Sequence, residues 1–453
     1  MSAAPGPGAG PRPSPTAADE VVGICQNLIG IDSSNYGDGS GPCEREAAEF
    51  AAGLLTDVGC DVEVYEPAPR RTSLVTRIEG TDPSRPALVL HGHTDVVPAI
   101  ASDWSVDPFG GEERDGMLWG RGAVDMKDMD AMIISVVREW MRTGRRPQRD
   151  IIVAIFADEE AGGVMGAHWS VEHRPELFEG ATEAVSEVGG FSISVAGQRA
   201  YLIQTAEKGI RWLKMIAEDR AGHGSMIHPD NAIVALAEAV ERIGRYRWDI
   251  SLTDSSRAFL RGVADLTGLP FTEPREDAEL RGQIDDLLQA LGPVARFVGS
   301  GLQHSANVTG LTAGYKHNVI PGRAEAWVDC RPLPGRADEA SAMLAEVAGP
   351  GVRWETVIED VGLEAPVTGA LMDAMTDALH AEDPQAAVLP YMMAGGTDNK
   401  SMSLLGITGY GFAPARLPED LDFTALFHGI DERIPLDALR FGTRVLDRFL
   451  MTC

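Results

Sequence analysis

Apolar residues recur along this chain with two different periods, and the alternation of those periods predicts its architecture. From Ala17 to Ile29, and again from Glu44 to Val58, they return at helical spacing, with Ala47, Phe50, Ala51, Leu54 and Leu55 on one stripe. Residues 61–65 and 73–78 alternate as strands do. Leu88–Leu90 and Ile151–Ala157 are near-continuous apolar runs, the mark of strands buried on both faces. Residues 126–143 read as a helix between them. Strand, helix and strand in that order predict an α/β fold with a mostly parallel sheet flanked by helices.

The texture changes near Glu207-Lys208-Gly209. Residues 210–218 alternate like a half-exposed strand, and 231–243 form a helix. Residues 251–298 are helical and charged, and strands at 325–330 and 352–358 enclose a helix at 337–347. A helix restarts at 366–380, and 406–411 is a glycine-rich strand end. The expected organisation is a large domain from 17–204 and 365–453, a smaller α+β domain inserted at 205–364, and a disordered tail at 1–16.

A length of 453 residues fits two domains. The net charge of −29 argues against nucleic acid or an anionic membrane as partner. Five widely spaced cysteines without a C-x-x-C argue against a disulfide framework or thiolate-bound zinc, and favour a reducing, cytoplasmic location. No apolar stretch approaches a membrane span, and the N-terminus lacks the apolar core of a signal peptide.

The chemistry gathers where apolar runs end. Leu88–Leu90 leads into His91-Gly92-His93-Thr94-Asp95, and Ile151–Ala157 into Asp158-Glu159-Glu160. Gly120-Arg121-Gly122-Ala123-Val124-Asp125-Met126-Lys127 lies between them, and Ser186-Glu187-Val188-Gly189-Gly190 follows. In an open α/β sheet, side chains at the carboxyl ends of strands build the site. His93, Asp125, Glu160 and Glu187 are spaced by about one βα unit each, and imidazole with carboxylate suits zinc, or cobalt or manganese. Two ions sharing a carboxylate need about one further ligand from later in the chain. The pair Glu159-Glu160 can serve as base and ligand if the backbone turns there.

These blocks resemble the signature segments of the di-zinc aminoacylase/carboxypeptidase family. Gly222-His223-Gly224-Ser225, Asn318-Val319-Ile320-Pro321-Gly322, Gly395-Gly396-Thr397-Asp398 and Phe427-His428-Gly429-Ile430-Asp431-Glu432 match in the same order, from about residue 20 to the end. The resemblance implies two Zn2+ per subunit. Asp125 would bridge them, His93 and Glu187 would complete one site, and Glu160 and His428 the other. Glu159 would be the general base, and Asp95 would hold the His93 imidazole by its second nitrogen. The resemblance also makes the inserted domain a lid and dimerisation domain. In dimeric members a histidine matching His223 reaches the partner's active site to stabilise the oxyanion. Asn318 and Arg331 resemble residues that bind the substrate carboxylate, and Gly395, Gly396 and Thr397 would offer backbone N–H groups to it.

This chain departs from the family pattern at Asp128, where glycine is frequent; the extra carboxylate either tunes the site or faces solvent. Met226 follows Gly224-Ser225, and the proline many members have there comes later, at Pro229. A dinucleotide-binding turn is excluded because Gly120-Arg121-Gly122 is followed by Asp125 where a third glycine belongs. A non-catalytic scaffold on the same fold would have lost the base or a ligand, and none is missing. The expected activity is hydrolysis of an amide in a small peptide or N-acyl amino acid with a free carboxylate. A dedicated deacylase of a biosynthetic intermediate is the alternative.

Overall fold

A computed structural model describes residues 14–453. Of the expected tail, residues 1–13 lie outside the described residues. Thr16, at its end, caps the helix Ala17–Ile29: its hydroxyl accepts from the Asp19 N–H, and the Asp19 carboxylate accepts from the Thr16 N–H.

The two apolar runs become Ala87–His93 and Ile151–Phe156, parallel neighbours in the middle of a ten-stranded sheet. Every residue of both strands is buried. Leu88, Leu90, Ile151, Val153 and Ile155 enter the core on one face, which the helices Ala17–Ile29, Lys127–Thr143 and Leu436–Thr452 cover. Val89, Ile152, Ala154 and Phe156 enter the core on the other, which Ala167–His173 and Asn399–Ser403 cover. Period-two geometry therefore explains why these strands read as continuous apolar runs. Ala181–Ser186 lies parallel beside Ala87–His93, and Thr408–Gly411 parallel beside it in turn. Val62–Ala68 and Arg71–Ile78 add an antiparallel edge. Four further strands, Phe191–Val195, Gln198–Glu207, Leu363–Glu364 and Ala387–Met393, complete this sheet where the sequence predicts none.

The smaller sheet is antiparallel, in the order Ser305–Ala313, Arg323–Arg331, Ile210–Glu218, Arg353–Asp360. Leu213, Met215, Ala326 and Val328 pack against the helices Ala232–Arg245 and Ala337–Ala348. Within the span 205–364, however, the helices Asp254–Thr267 and Asp277–Ala290 belong elsewhere: Phe259, Leu260, Val263, Ile284 and Leu287 are part of the large core. A helical stripe shows that a face is buried and not which sheet buries it.

The chain thus crosses between the two bodies at 208–209, between Trp248 and Asp254, at 303–304 and at 361–362. Two lysines pin three of these crossings. Lys208 Nζ donates to the carbonyls of Ser300 and Gln303 and to Ser305 Oγ, at 2.8–3.1 Å. Lys400 Nζ donates to the carbonyls of Lys208 and Val361, at 2.8 and 2.5 Å. Among the described residues no helix is long and apolar enough to cross a membrane.

Candidate metal centre

Three adjacent parallel strands deliver the central side chains. His93 ends Ala87–His93, Glu159 and Glu160 follow Ile151–Phe156 on one side, and Glu187 follows Ala181–Ser186 on the other. Asp125 comes from the loop before Lys127–Thr143, and His428 from the loop before Arg433–Pro435. Asp125 faces both histidines: Oδ1 is 3.3 Å from His93 Nε2 and Oδ2 is 3.2 Å from His428 Nε2. Glu187 lies 3.5 Å from His93 Nε2, and Glu160 lies 3.1 Å from His428 Nε2. Glu159 stands back, 3.9 Å from His93 Nε2.

Two groups of potential metal donors result, His93 with Glu159 and Glu187, and Asp125 with Glu160 and His428. His93 Nε2 and Glu160 Oε1 are buried without hydrogen-bond partners, as donor atoms awaiting a cation are. The nitrogen and carboxylate set suits a divalent ion of the zinc type, and the residues present fit two such ions.

The electrostatics say the same. Burial pushes the carboxyls of Glu159 and Glu160 up, with help from the charges of Glu187 and Asp125 respectively, and Glu187 rises to about 8 by burial and the Asp125 charge. Burial works to lower His93, but Glu187, Asp125 and Asp95 outweigh it and hold the imidazole well above its ordinary value. Hydrogen bonds to Asp125 and Glu160 hold His428 at about 10. Burial works to raise Asp125, but hydrogen bonds from His428 and His93 outweigh it and hold its carboxyl below the ordinary range, so raised acids surround one that stays ionised, and a bound cation would displace their protons.

Backbone geometry aims these groups. Asp158, Val188 and His428 adopt φ of +68°, +56° and +57°, the left-handed region that non-glycine residues rarely occupy. After Glu187, Gly189 is required by space: a Cβ there would lie 1.9 Å from the Gly411 carbonyl oxygen.

Asp95 does more than the sequence suggested. The closest partner of His93 Nδ1 is the Asp95 backbone carbonyl at 3.0 Å, with the carboxylate at 3.5 Å. Its carboxylate oxygens accept from the N–H groups of Glu159 and Glu160, at 3.1 and 3.0 Å, and so fix the turn that sends those two side chains apart. Glu432 holds the other critical loop, accepting from Arg121 at 2.7 Å and from the N–H groups of Val124 and Asp125 at 2.6 and 3.2 Å. Glu432 lay inside a recognised block without a role. Asn35, Arg71 and Glu44, which stand behind Asp95 and Asp158, carried no sequence signal at all. Asp128 is buried and does not face solvent; burial raises its carboxyl well above the ordinary range.

The substrate candidates are arranged differently. His223 is exposed, and its Nδ1 lies 2.8 Å from Ser225 Oγ. Asn318 is exposed and its carbonyl accepts from Gly224 N–H. Arg331 is paired with Asp329 on its own strand, at 2.8 Å. Gly395 and Gly396 are half-buried in the larger body, and both Thr397 N–H and Oγ1 donate to Glu207 Oε2, at 2.9 and 3.1 Å. None of these makes an ion pair with the metal-donor side chains.

A family model for peptidase family M20/M25/M40 matches residues 89–452. The chain belongs to this family. Among relatives, the N-fatty-acyl-amino acid synthase/hydrolase PM20D1 of Xenopus tropicalis is 27% identical over 87% of this chain and 78% of its own. Aminoacylase-1 of Homo sapiens is 26% identical over 89% of each chain. The solved M20 metallo-carboxypeptidase Sso-CP2 from Sulfolobus solfataricus superposes with a TM-score of 0.69 at 17% identity, covering 96% of this chain and 99% of that one. Human carnosine dipeptidase 1 gives 0.65 at 18%, covering 96% of each. These likenesses bear out the α/β fold, and the family establishes a hydrolase of peptides or N-acyl amino acids.

Proposed function

We propose that this protein is a zinc-type amidohydrolase that cleaves the amide of an N-acyl amino acid, with Glu159 as general base. The observation that carries the reading is the division of labour within one turn: Glu160 lies 3.1 Å from His428, while Glu159 stands 3.9 Å from His93, farther from it than Asp125 and Glu187. Bound divalent ions would lower the pKa of a shared water towards neutrality and polarise the scissile carbonyl. Glu159, held by burial with a raised proton affinity, would accept the water proton and pass it to the departing amine. Asp125 would keep both donor groups in register. Arg331 would pair with the free carboxylate of the amino-acid half, in place of Asp329. The names of the aminoacylase and fatty-acyl-amino-acid relatives favour N-acyl amino acids over peptides.

The test is release of free amine from a panel of N-acyl amino acids and dipeptides, by wild type and Glu159→Gln, each loaded with zinc or cobalt. The expected result is turnover by wild type and a loss of about 10²–10⁴-fold in the variant with its metal content intact. Metal binding without turnover across the panel would sink the reading.

A further inference from the structure

Behind the Glu159-Glu160 turn lies a buried group of polar side chains that the proposed reaction does not use. Arg71 is its cation. Its Nη1 donates to Glu44 Oε1 at 2.5 Å, its Nη2 donates to Asn35 Oδ1 at 2.7 Å, and its Nε lies 3.5 Å from Asp158 Oδ1. The Arg71 and Glu44 side chains are 6% and 0% exposed. Asn35 uses its whole amide. Oδ1 accepts from Arg71 and from Gly37 N–H at 2.9 Å, and Nδ2 donates to Asp95 Oδ2 at 2.8 Å and Asp158 Oδ1 at 3.2 Å. With two acceptor positions and two N–H groups all engaged, the amide has one orientation.

Each partner acts on the same turn. Asp95 receives the N–H groups of Glu159 and Glu160. Asp158 holds the left-handed φ of +68°, its Oδ2 accepts from Met165 N–H at 2.9 Å, and its own N–H points to Glu44 Oε1 at 3.3 Å. A left-handed, non-glycine residue persists only where its surroundings over-determine it. Here those surroundings are Arg71, Asn35 and Glu44.

We propose that Arg71 and Asn35 are positioning residues: through Asp95 and Asp158 they fix the Glu159-Glu160 turn, so that Glu160 reaches the group with His428 while Glu159 stays beside His93. This rests on the hydrolase reading only for its kinetic consequence. Asn35 must supply donors to two carboxylates and an acceptor to a guanidinium at once, and an amide of this length does so. Asn35→Asp would set a third carboxylate against Asp95 and Asp158 and abolish both donated bonds. Asn35→Ala would remove the bonds and add no charge. Arg71→Lys would keep the charge and lose the fork that spans Glu44 and Asn35.

The experiment titrates the metal-free full chain with Co2+ by calorimetry and absorbance, and measures kcat, KM and the melting temperature. Wild type, Asn35→Asp, Asn35→Ala and Arg71→Lys are compared. Loss of such outer partners costs metal sites about 10–100-fold in affinity or activity. The expected result for Asn35→Asp is a second Co2+ equivalent weakened at least about tenfold, a first equivalent held as in wild type, and kcat down about 100-fold with KM within about threefold. Asn35→Ala should show the same pattern at smaller size, and it carries the test if Asn35→Asp does not fold. Two equivalents bound with wild-type affinity, together with an unchanged cobalt spectrum, in a folded Asn35 variant would overturn the proposal. Absence of turnover by wild type would remove the hydrolase reading, and the cobalt titration would still decide this one.

Discussion

The metal-donor cluster and the residues of the smaller domain proposed to face the substrate obey different constraints. The cluster is assembled within one body, from three neighbouring strand ends and two loops, and its carboxylates lie 3.1–3.9 Å from the two histidines. His223, Asn318 and Arg331 sit on the other body and bond their own neighbours: Ser225, Gly224 and Asp329. The difference separates two jobs. The proposed chemistry would be pre-organised by the fold, whereas the proposed carboxylate recognition would need groups that give up local partners for the substrate.

The most severe way to break the cluster is at its centre. Asp125 alone faces both histidines, so Asp125→Ala should leave two half-sites. We expect loss of at least one metal equivalent, read by elemental analysis, and a fall in kcat of at least about 10³-fold, the rate equivalent of several kcal/mol of lost charge stabilisation. A variant that keeps two equivalents and more than a tenth of its activity would show that the two groups are independent.

The join between the two bodies is the next target. Glu207 ends the strand that leads into the smaller domain, and burial pushes its carboxyl from 4.5 up to about 7. Between those values the folded protein keeps a proton that the unfolded chain releases. Its contribution to stability is therefore complete below about pH 4.5 and is lost as pH rises through about 7. The loss amounts to roughly 3 kcal/mol at most. Glu207→Gln keeps an acceptor for Thr397 and removes the titration. Urea unfolding at pH 5 and pH 8 should show a smaller decline for the variant than for wild type; equal declines would assign the pH dependence to other groups.

That join also marks how far the sequence could be read. The ends of two central strands were legible because burial on both faces leaves an apolar run, and the runs stop where His93 and the Glu159-Glu160 pair begin; Ala181–Ser186, buried only over its last three residues, leaves no such run before Glu187. The helices Asp254–Thr267 and Asp277–Ala290 were legible as helices, but their return to the large core was not, because an amphipathic stripe names no partner. Asn35, Arg71 and Glu44 were invisible for a similar reason. Each is an ordinary polar residue in sequence, and only the fold brings positions 35, 71, 95 and 158 together. The resemblance gave Asp95 a role through His93, while the structure adds its hold on the Glu159-Glu160 turn.

On the smaller domain the effects should be milder and should fall on KM. Arg331→Ala removes the proposed partner of the substrate carboxylate, and a charge-assisted hydrogen-bonded pair contributes about 2 kcal/mol. KM should rise about 30-fold with kcat little changed and both metal equivalents retained. A fall in kcat at constant KM would move Arg331 from ground-state binding to the reacting centre.

Asp329 offers the finest distinction. It holds Arg331 through Nε–H···Oδ1 at 2.8 Å and Nη2–H···Oδ2 at 3.3 Å, a fork of the kind a substrate carboxylate would make. Both side chains are partly exposed, at 23% and 30%, so the pair itself contributes no more than about 1 kcal/mol. If Asp329 competes with substrate, Asp329→Asn weakens the incumbent partner and KM should fall about threefold, with the advantage over wild type shrinking as salt screens the charges. If Asp329 instead holds the guanidinium in the orientation that receives the substrate, KM should rise in the same variant. The sign of the KM change, measured at low and high salt, decides whether Arg331 is merely occupied in this structure or already set for the substrate.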